Sequence, residues 1–512
     1  MTKLRPFSLL ILGIALLVLS GADSHSTSAA PPAQAAACQF QLGFATLRAA
    51  IPDRVGDCVD NEQFNSTNGN AEQHTTAWHR NGGLLVWRKA DNWTAFTDGG
   101  TTWINGPTGI QSRPNAGPCF SWESCPGSTA EIPSTRTSNP VLTAPLLRPT
   151  ELSIPEKFRV GRLATAKQLN LPTGFTASVF ASGLPGARFM ALGADGTVYV
   201  TGISSGRILA LPDLDRDGIA DSVDTWAQGL SAPHGITIHD NHLYVGEQNQ
   251  IVRFAMGSAG QRASEAQVVV PDLPTGGGHR TRTVGFGPDG KLYVAVGSSC
   301  NVCEETDERR AAVSVYNADG SAGRIFSRGL RNAVGFVWRP GTTEIWASNN
   351  GRDNLGDDIP PEAVYRLRDG AHFGWPYCNP PNVPDPQFGR PDFCKTIDTP
   401  GAMFQAHTAP LGLRFYDGTS FPNTHRGDLF VALHGSWNRT SPVGYKIIRI
   451  PFNGGSTAGT PEDFATGWLP ADDNRASVWG RPVDLLVTPD GALLVSDDDG
   501  GTIFRIAYTG GV

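Results

Sequence analysis

The sequence predicts an all-β protein, a six-bladed β-propeller preceded by a small β-rich N-terminal domain. Three observations predict it. A strand–turn–strand unit recurs six times after about residue 170. The chain holds 60 Gly and 38 Pro in 512 residues, and only 17% of its residues are charged, a balance that favours turns over long helices. A polar or charged residue stands at the head of each unit, where an inner strand should be apolar.

The six units read LGADGTVYVTG (192–202), ITIHDNHLYVGE (236–247), VGFGPDGKLYVAVG (284–297), VGFVWRPGTTEIWASNNG (334–351), LRFYDGTSFPNTHRGDLFVALHG (413–435) and DLLVTPDGALLVSDDDGG (484–501). Each has a short apolar strand, a turn such as Pro-Asp-Gly, and a second strand ending in small or polar residues. Hairpin units of this length mark a propeller. One twisted sheet cannot cover both of its faces, so the sheets stack in a ring around a channel. Loops leaving the inner strands then gather at one mouth, where side chains from different blades form a site.

Upstream of the repeats the chain divides by composition. Residues 1–22 read as an export signal: Lys3 and Arg5 precede the apolar run Phe7 to Leu19, and Ser20-Gly21-Ala22 offers small residues for cleavage. The run falls short of the ~20 residues of a membrane span, and no other segment reaches that length. The expectation is a secreted or periplasmic protein with no membrane span after signal cleavage. Residues 23–37 form an Ala/Ser/Pro-rich linker, 38–124 a small Trp/Asn/Gly-rich accessory domain, 125–165 a second linker, and 166–512 the propeller. Trp87, Trp93 and Trp103 either fill the core of the accessory domain or present a carbohydrate-binding surface.

Export makes the eight cysteines candidates for disulfides. They fall into four local pairs, Cys38 with Cys58, Cys119 with Cys125, Cys300 with Cys303 and Cys378 with Cys394. No second CxxC follows Cys300-Asn-Val-Cys303 at zinc-ribbon spacing, and no His follows Cys303 for covalent haem. A net charge of −7 argues against a broad nucleic-acid surface. A few focused arginines still suffice for one anionic cofactor.

The heads of the units are Arg188 (GARFMAL), His234 (PHGI), His279 (GGGHRTRTVGF), Arg331 (GLRNAVGF), His407 (AHTAPLGL) and Arg481 (GRPVDLL). Their shared place in the repeat aims all of them at the axis, as a polar and largely cationic funnel. Between the first two units lies a separate pattern. Asp213, Asp215, Asp217, Asp221 and Asp224 occupy positions 1, 3, 5, 9 and 12 of an EF-hand-type calcium loop, with Gly218 at 6 and the Ile219 carbonyl at 7. The expectation there is a structural Ca²⁺.

The segments GGGHRTRTVGFGPDGKLYVAVGSSCNVC, GLRNAVGFVWRP, SNNGRDNLGDDIPPE, HFGWPYC and LHGSWNR resemble the soluble pyrroloquinoline quinone (PQQ)-dependent glucose/sorbosone dehydrogenase superfamily, in its pyranose dehydrogenase branch. The resemblance runs from about 170 to 508 and implies oxidation of an aldose or pyranose sugar by His-assisted hydride transfer to Ca²⁺-bound PQQ, with an external electron acceptor. It implies that His279 is the catalytic base, with His234 its rival, and that Arg331 sits beside the reactive quinone carbonyl. Asn332, Arg439, Arg481, His234 and Arg188 are then cofactor-binding residues, since guanidinium groups suit the three carboxylates of the quinone. Backbone carbonyls of the Asn350–Asp353 loop, at Gly351 and Arg352, are the implied ligands of the catalytic Ca²⁺, with Gly351 permitting an unusual backbone there. Trp375 and Tyr377 are candidates to line the sugar pocket. The glucose dehydrogenase branch carries Lys near Arg439 and Pro at Arg352, so the chain departs from it at both places. The alternatives are a non-catalytic propeller that binds a glycan or a protein, and a lactonase-type propeller. The latter needs acidic metal ligands on the axis, where this chain carries Arg and His.

Overall fold

The structure, a computed structural model, describes residues 146–510 except 263, 453, 456 and 471–473, and the segments 42–55, 57–58, 63–65, 70–76, 83–87, 94–97, 101–106 and 109–114. The export signal, the 23–37 linker, Trp93, Cys38, Cys119 and Cys125 lie outside the described residues. Two compact units divide the chain, residues 1–133 and 134–512.

In the first unit a helix, Leu42–Ala50, accompanies six antiparallel strands that pair in chain order from Gln63–Asn65 to Gly109–Pro114. Phe44, Leu47, Val55, Leu85 and Phe96 form its core, and Trp87 and Trp103 pack against that core. Of the two readings of these tryptophans, packing is the one visible in the contacts.

The second unit is built almost wholly of antiparallel sheets in succession. Four consecutive strands form each of the first three, Ala187–Leu192 to Asp224–Gln228, Ile236–His239 to Gln267–Val270 and Arg282–Phe286 to Arg324–Arg328. The fourth joins Phe336–Trp338, Ile345–Asn349 and Glu362–Leu367 to Ala402–Phe404, leaving an insertion between its last two strands. The fifth runs from Pro410–Phe415 to Glu462–Ala465. In the sixth, Pro482–Val487, Leu493–Asp497 and Thr502–Tyr508 are completed by Phe175–Ser182, which comes from the other end of the unit.

Second strands such as Val198–Gly202, Leu292–Val296 and Leu429–Leu433 are buried at every residue. A strand covered on both faces reads as a continuous apolar run, as these do. The first strands of successive sheets touch in order, and that of the sixth touches that of the first, so the sheets close a ring. Close approach at the centre sets the glycines: a Cβ at Gly235 would stand 2.6 Å from Thr283 Cα, and one at Gly335 would collide with the Leu411 carbonyl.

Part of the expected 125–165 linker is structured. Leu147–Ser153 pairs in parallel with Phe175–Ser182 and antiparallel with Gln168–Pro172. Its Leu152, with Ile154, is buried in the core of the sixth sheet, which explains why a Leu- and Pro-rich stretch leaves the connector. Disulfides join Cys300 to Cys303 and Cys378 to Cys394, the second closing the insertion of the fourth sheet. No helix among the described residues is long and apolar enough to cross a membrane.

Candidate active site

A cavity of about 260 Å³ is lined by Arg188, His279, Arg331, His407 and Arg481, five of the six unit heads, together with groups that follow the second strands. Among these are Asn350, Gly351, Asp353 and His434. His234 does not line it. That ring is fully buried behind Arg188, whose Nε donates to His234 Nδ1 at 3.3 Å.

His279 is fixed by the end of the next strand. Its Nδ1 lies 2.9 Å from both the carbonyl oxygen and the hydroxyl of Ser298. The Ser298 hydroxyl gives its own proton to the Cys300 carbonyl at 2.6 Å, so both oxygens face Nδ1 as acceptors. Nδ1 therefore carries the ring proton and Nε2 the lone pair. Burial, reinforced by the Arg331 charge, pulls the imidazole down to about 4, leaving it neutral at ordinary pH. Arg282, buried below the loop, donates to the His279 and Thr281 carbonyls and holds the segment in place.

Arg331 is the most constrained cation of the cavity. Its Nε donates to the Asn301 carbonyl at 2.9 Å, and Nη2 to Asn301 Oδ1 at 3.0 Å and Asp353 Oδ2 at 2.6 Å. Asn301 sits inside the Cys300–Cys303 loop, so that disulfide closes the loop beneath Arg331. Asn332 donates from Nδ2 to Asn350 Oδ1 at 3.3 Å and lines the wall. Arg481 spends Nε on the His434 carbonyl and Nη2 on that of Gly435, at 3.1 and 3.0 Å. Arg188 binds Asp498 through Nη1 at 2.7 Å. A guanidinium has five N–H donors, so Arg188 and Arg481 each keep donors uncommitted among the described residues.

Two expectations are not met by the positions found, Arg439 in the cavity wall and an unusual backbone at Gly351. Arg439 is absent from the cavity wall, because it donates to the Asp357 carbonyl and pairs with Asp358 at 3.2 Å. Arg352 turns its side chain away, into a buried pair with Asp385 at 2.6 Å. The left-handed residues of that loop are Asn354 and Gly356 (φ 66 and 96°), whereas Gly351 is needed for space, a Cβ there standing 3.0 Å from Pro360 Cγ. The Gly351 backbone lines the cavity, and its N–H goes to Glu362 at 2.6 Å. Burial raises Glu362 to about 7.

Neither candidate sugar-pocket aromatic lines the cavity. Trp375 is buried and donates from Nε1 to the Asn301 carbonyl at 3.2 Å, while Tyr377 binds Glu304 and lies under Arg390. The aromatic at the wall is Trp437, 62% exposed. Sequence reading also missed Ser298, Glu362, His434 and Asp498.

Outside the cavity, carboxylate oxygens of Asp213, Asp215 and Asp217 converge within 4.8 Å of one another. Asp213 Oδ1 is buried without a partner, and burial raises this carboxyl above its ordinary range. Asp221 accepts from Leu214 N–H at 2.7 Å and Asp224 from the Ser222 hydroxyl at 2.6 Å, and neither belongs to the converging group. The Ile219 N–H donates to Asp217 Oδ1 at 2.8 Å.

Fold and cavity together define a closed ring of antiparallel sheets around a cationic, imidazole-bearing centre. The TrAA12-like family model matches residues 169–509, and the chain belongs to that family, the AA12 PQQ-dependent pyranose dehydrogenases. An uncharacterized protein of Borreliella burgdorferi is 32% identical over 356 residues, covering 66% of this chain and 91% of that one. A PQQ-dependent pyranose dehydrogenase of Coprinopsis cinerea is 26% identical over 413 residues and 67% of this chain. This chain spans only 55% of that fungal enzyme's length. In structure, the holo PQQ domain of the Coprinopsis cinerea pyranose dehydrogenase superposes with a TM-score of 0.59 at 24% identity, covering 70% of this chain and 98% of that one. A calcium structure of the Trichoderma reesei family AA12 enzyme gives 0.57 at 21%, covering 73% and 99%.

Proposed function

We propose that this chain is an exported six-bladed propeller that oxidises an aldose or related pyranose at its anomeric carbon, using PQQ and Ca²⁺ and an external electron acceptor. The observation that carries the reading is a single cavity uniting three arginines with an imidazole whose Nε2 lone pair is free. That donor set fits the cofactor. Uncommitted N–H groups on Arg188 and Arg481 suit its carboxylates, and the buried guanidinium of Arg331 suits a carbonyl oxygen that gains negative charge.

PQQ, when bound, supplies a carbonyl carbon that accepts hydride. His279 Nε2 takes the proton of the sugar's anomeric hydroxyl as the C1–H bond leaves with its electron pair, so that C1 becomes a carbonyl. Ser298 holds the tautomer this requires. Arg331, clamped by Asn301 and Asp353, stays in place without reorganising as charge develops. The Gly351 and Arg352 carbonyls are the oxygen donors for the catalytic cation, and the Arg352–Asp385 pair fixes that loop from behind. Trp437 offers its face to the sugar. The Asp213–Asp217 cluster holds a second, structural Ca²⁺, suited to hard oxygen ligands.

Titration of the purified chain with PQQ and Ca²⁺, followed by dye reduction with a panel of aldoses, tests the reading. Saturable one-to-one quinone binding with sugar-dependent dye reduction is expected. Absence of quinone binding sinks it.

A further inference from the structure

Four histidines stand in or against the cavity, and their hydrogen bonds sort them. His234 Nδ1 accepts from Arg188 and the ring is buried. His407 gives Nε2–H to the Gly356 carbonyl at 2.8 Å and accepts at Nδ1 from Asn438 at 3.3 Å, so both nitrogens are spent. His279 keeps Nε2 free. His434 is the fourth. Its Nε2 lies 2.8 Å from Asp498 Oδ1, and a carboxylate there demands the proton on Nε2. Its Nδ1 then carries a lone pair and makes no hydrogen bond among the described residues, and the residue lines the cavity.

Asp498 is itself held. Its other oxygen accepts from Arg188 Nη1 at 2.7 Å. Burial alone would raise this carboxyl, but His434 and Arg188 outweigh it and keep Asp498 ionised. The arrangement is a carboxylate-backed imidazole: burial lowers His434 below its ordinary value, Asp498 orients the ring and offsets part of that lowering, and the ring rests neutral. Arg481, bonded to the His434 carbonyl, adds to the lowering from the next sheet.

We propose that His434, backed by Asp498, is a second proton acceptor of the cavity and works in the oxidative half of the cycle. This rests on the dehydrogenase reading. Oxidising an anomeric C–H and O–H to a carbonyl removes two electrons and two protons from the sugar. One proton leaves from the hydroxyl through His279, and the other travels within the hydride. An external acceptor that takes electrons alone leaves that second proton, freed on reoxidation, to the protein. His434 Nδ1 receives it and passes it to solvent at the cavity mouth.

Two measurements test this. Imidazole ¹⁵N shifts of the cofactor-free protein are expected to show His434 as the Nε2–H tautomer, shifting towards Nδ1–H in Asp498→Asn. In the loaded protein, reoxidation is timed with a one-electron acceptor that takes no proton and with a dye that takes protons with its electrons. His434→Gln is expected to lower the ratio of these rates at least tenfold, and His279→Gln to keep the wild-type ratio. An Nδ1–H tautomer in the wild type, or a wild-type ratio in His434→Gln, overturns the proposal. Failure of PQQ to bind the wild type overturns the dehydrogenase reading instead, and the tautomer measurement stands apart from it.

Discussion

The Nδ1 of His279 sits 2.9 Å from the carbonyl oxygen of Ser298, and this one contact decides which nitrogen faces the cavity as a base. His279→Gln is expected to keep PQQ affinity and to lose about 10²–10⁴-fold in the sugar-oxidation step, read by single-turnover absorbance. Because burial holds the imidazole at about 4, the free base persists down to that pH. The wild-type rate should therefore stay level from neutral pH towards 5 and fall only as pH drops through about 4. A fall centred on 6.5 contradicts the burial of the ring.

Arg331 and Asp353 form a pair in which the arginine side chain is only 5% exposed. Lys cannot span Asn301 and Asp353 together, since it lacks the planar fork. Arg331→Lys is expected to weaken quinone binding and to destabilise the fold, in the range of about 3–5 kcal/mol that a broken buried pair costs. Denaturant melts and quinone titrations check the two effects separately.

The three converging carboxylates at Asp213, Asp215 and Asp217 predict a stability linked to Ca²⁺. A chelator should lower the melting temperature of the wild type, since a cation at 100 times its dissociation constant stabilises by about 2.7 kcal/mol. Asp213→Asn should melt lower in Ca²⁺ and respond less to the chelator. Equal chelator responses would remove the cation from this loop.

Asp484 is buried, accepts from Met190 N–H at 2.9 Å, and is raised by burial to about 7. The folded chain thus keeps a proton that the unfolded chain has lost above its ordinary pKa. Its contribution to stability is lost as pH rises through about 7. Asn preserves the acceptor and cannot ionise. Asp484→Asn should gain in melting temperature relative to wild type between pH 5 and pH 8, whereas a constant difference would show that Asp484 does not titrate in this range.

Much of this architecture was legible in the sequence because strand and turn chemistry is local. Asp-Gly turns flanked by apolar runs mark four of the six units, Asp-Asn and Pro-Gly mark the other two, and the heads of the units inherit a common position. Five of those heads line one cavity. The sixth, His234, illustrates the limit: its repeat position is equivalent, but Arg188 from the neighbouring sheet covers it. Arg439 went elsewhere because an acidic partner, Asp358, lies far off in sequence and claims it. Three of the four missed groups share a readable signal: Ser298, His434 and Asp498 follow the second strand of a unit, where polar residues end the apolar run, whereas Glu362 opens a third strand. That second ring supplies the partners of the first. Leu147–Ser153 was hidden for another reason, since its pairing strand comes later in the chain and its own composition reads as a connector.

Everything proposed for this cavity depends on hydride passing from a sugar to PQQ with His279 as base. The most direct measurement is the absorption spectrum of the chain reconstituted with PQQ and Ca²⁺, taken without oxygen before and after an aldose is added. Conversion from the oxidised to the reduced cofactor spectrum is expected within one turnover, slowed at least a hundredfold in His279→Gln. An unchanged spectrum across a broad panel of aldoses and pyranoses, with the cofactor demonstrably bound, contradicts it.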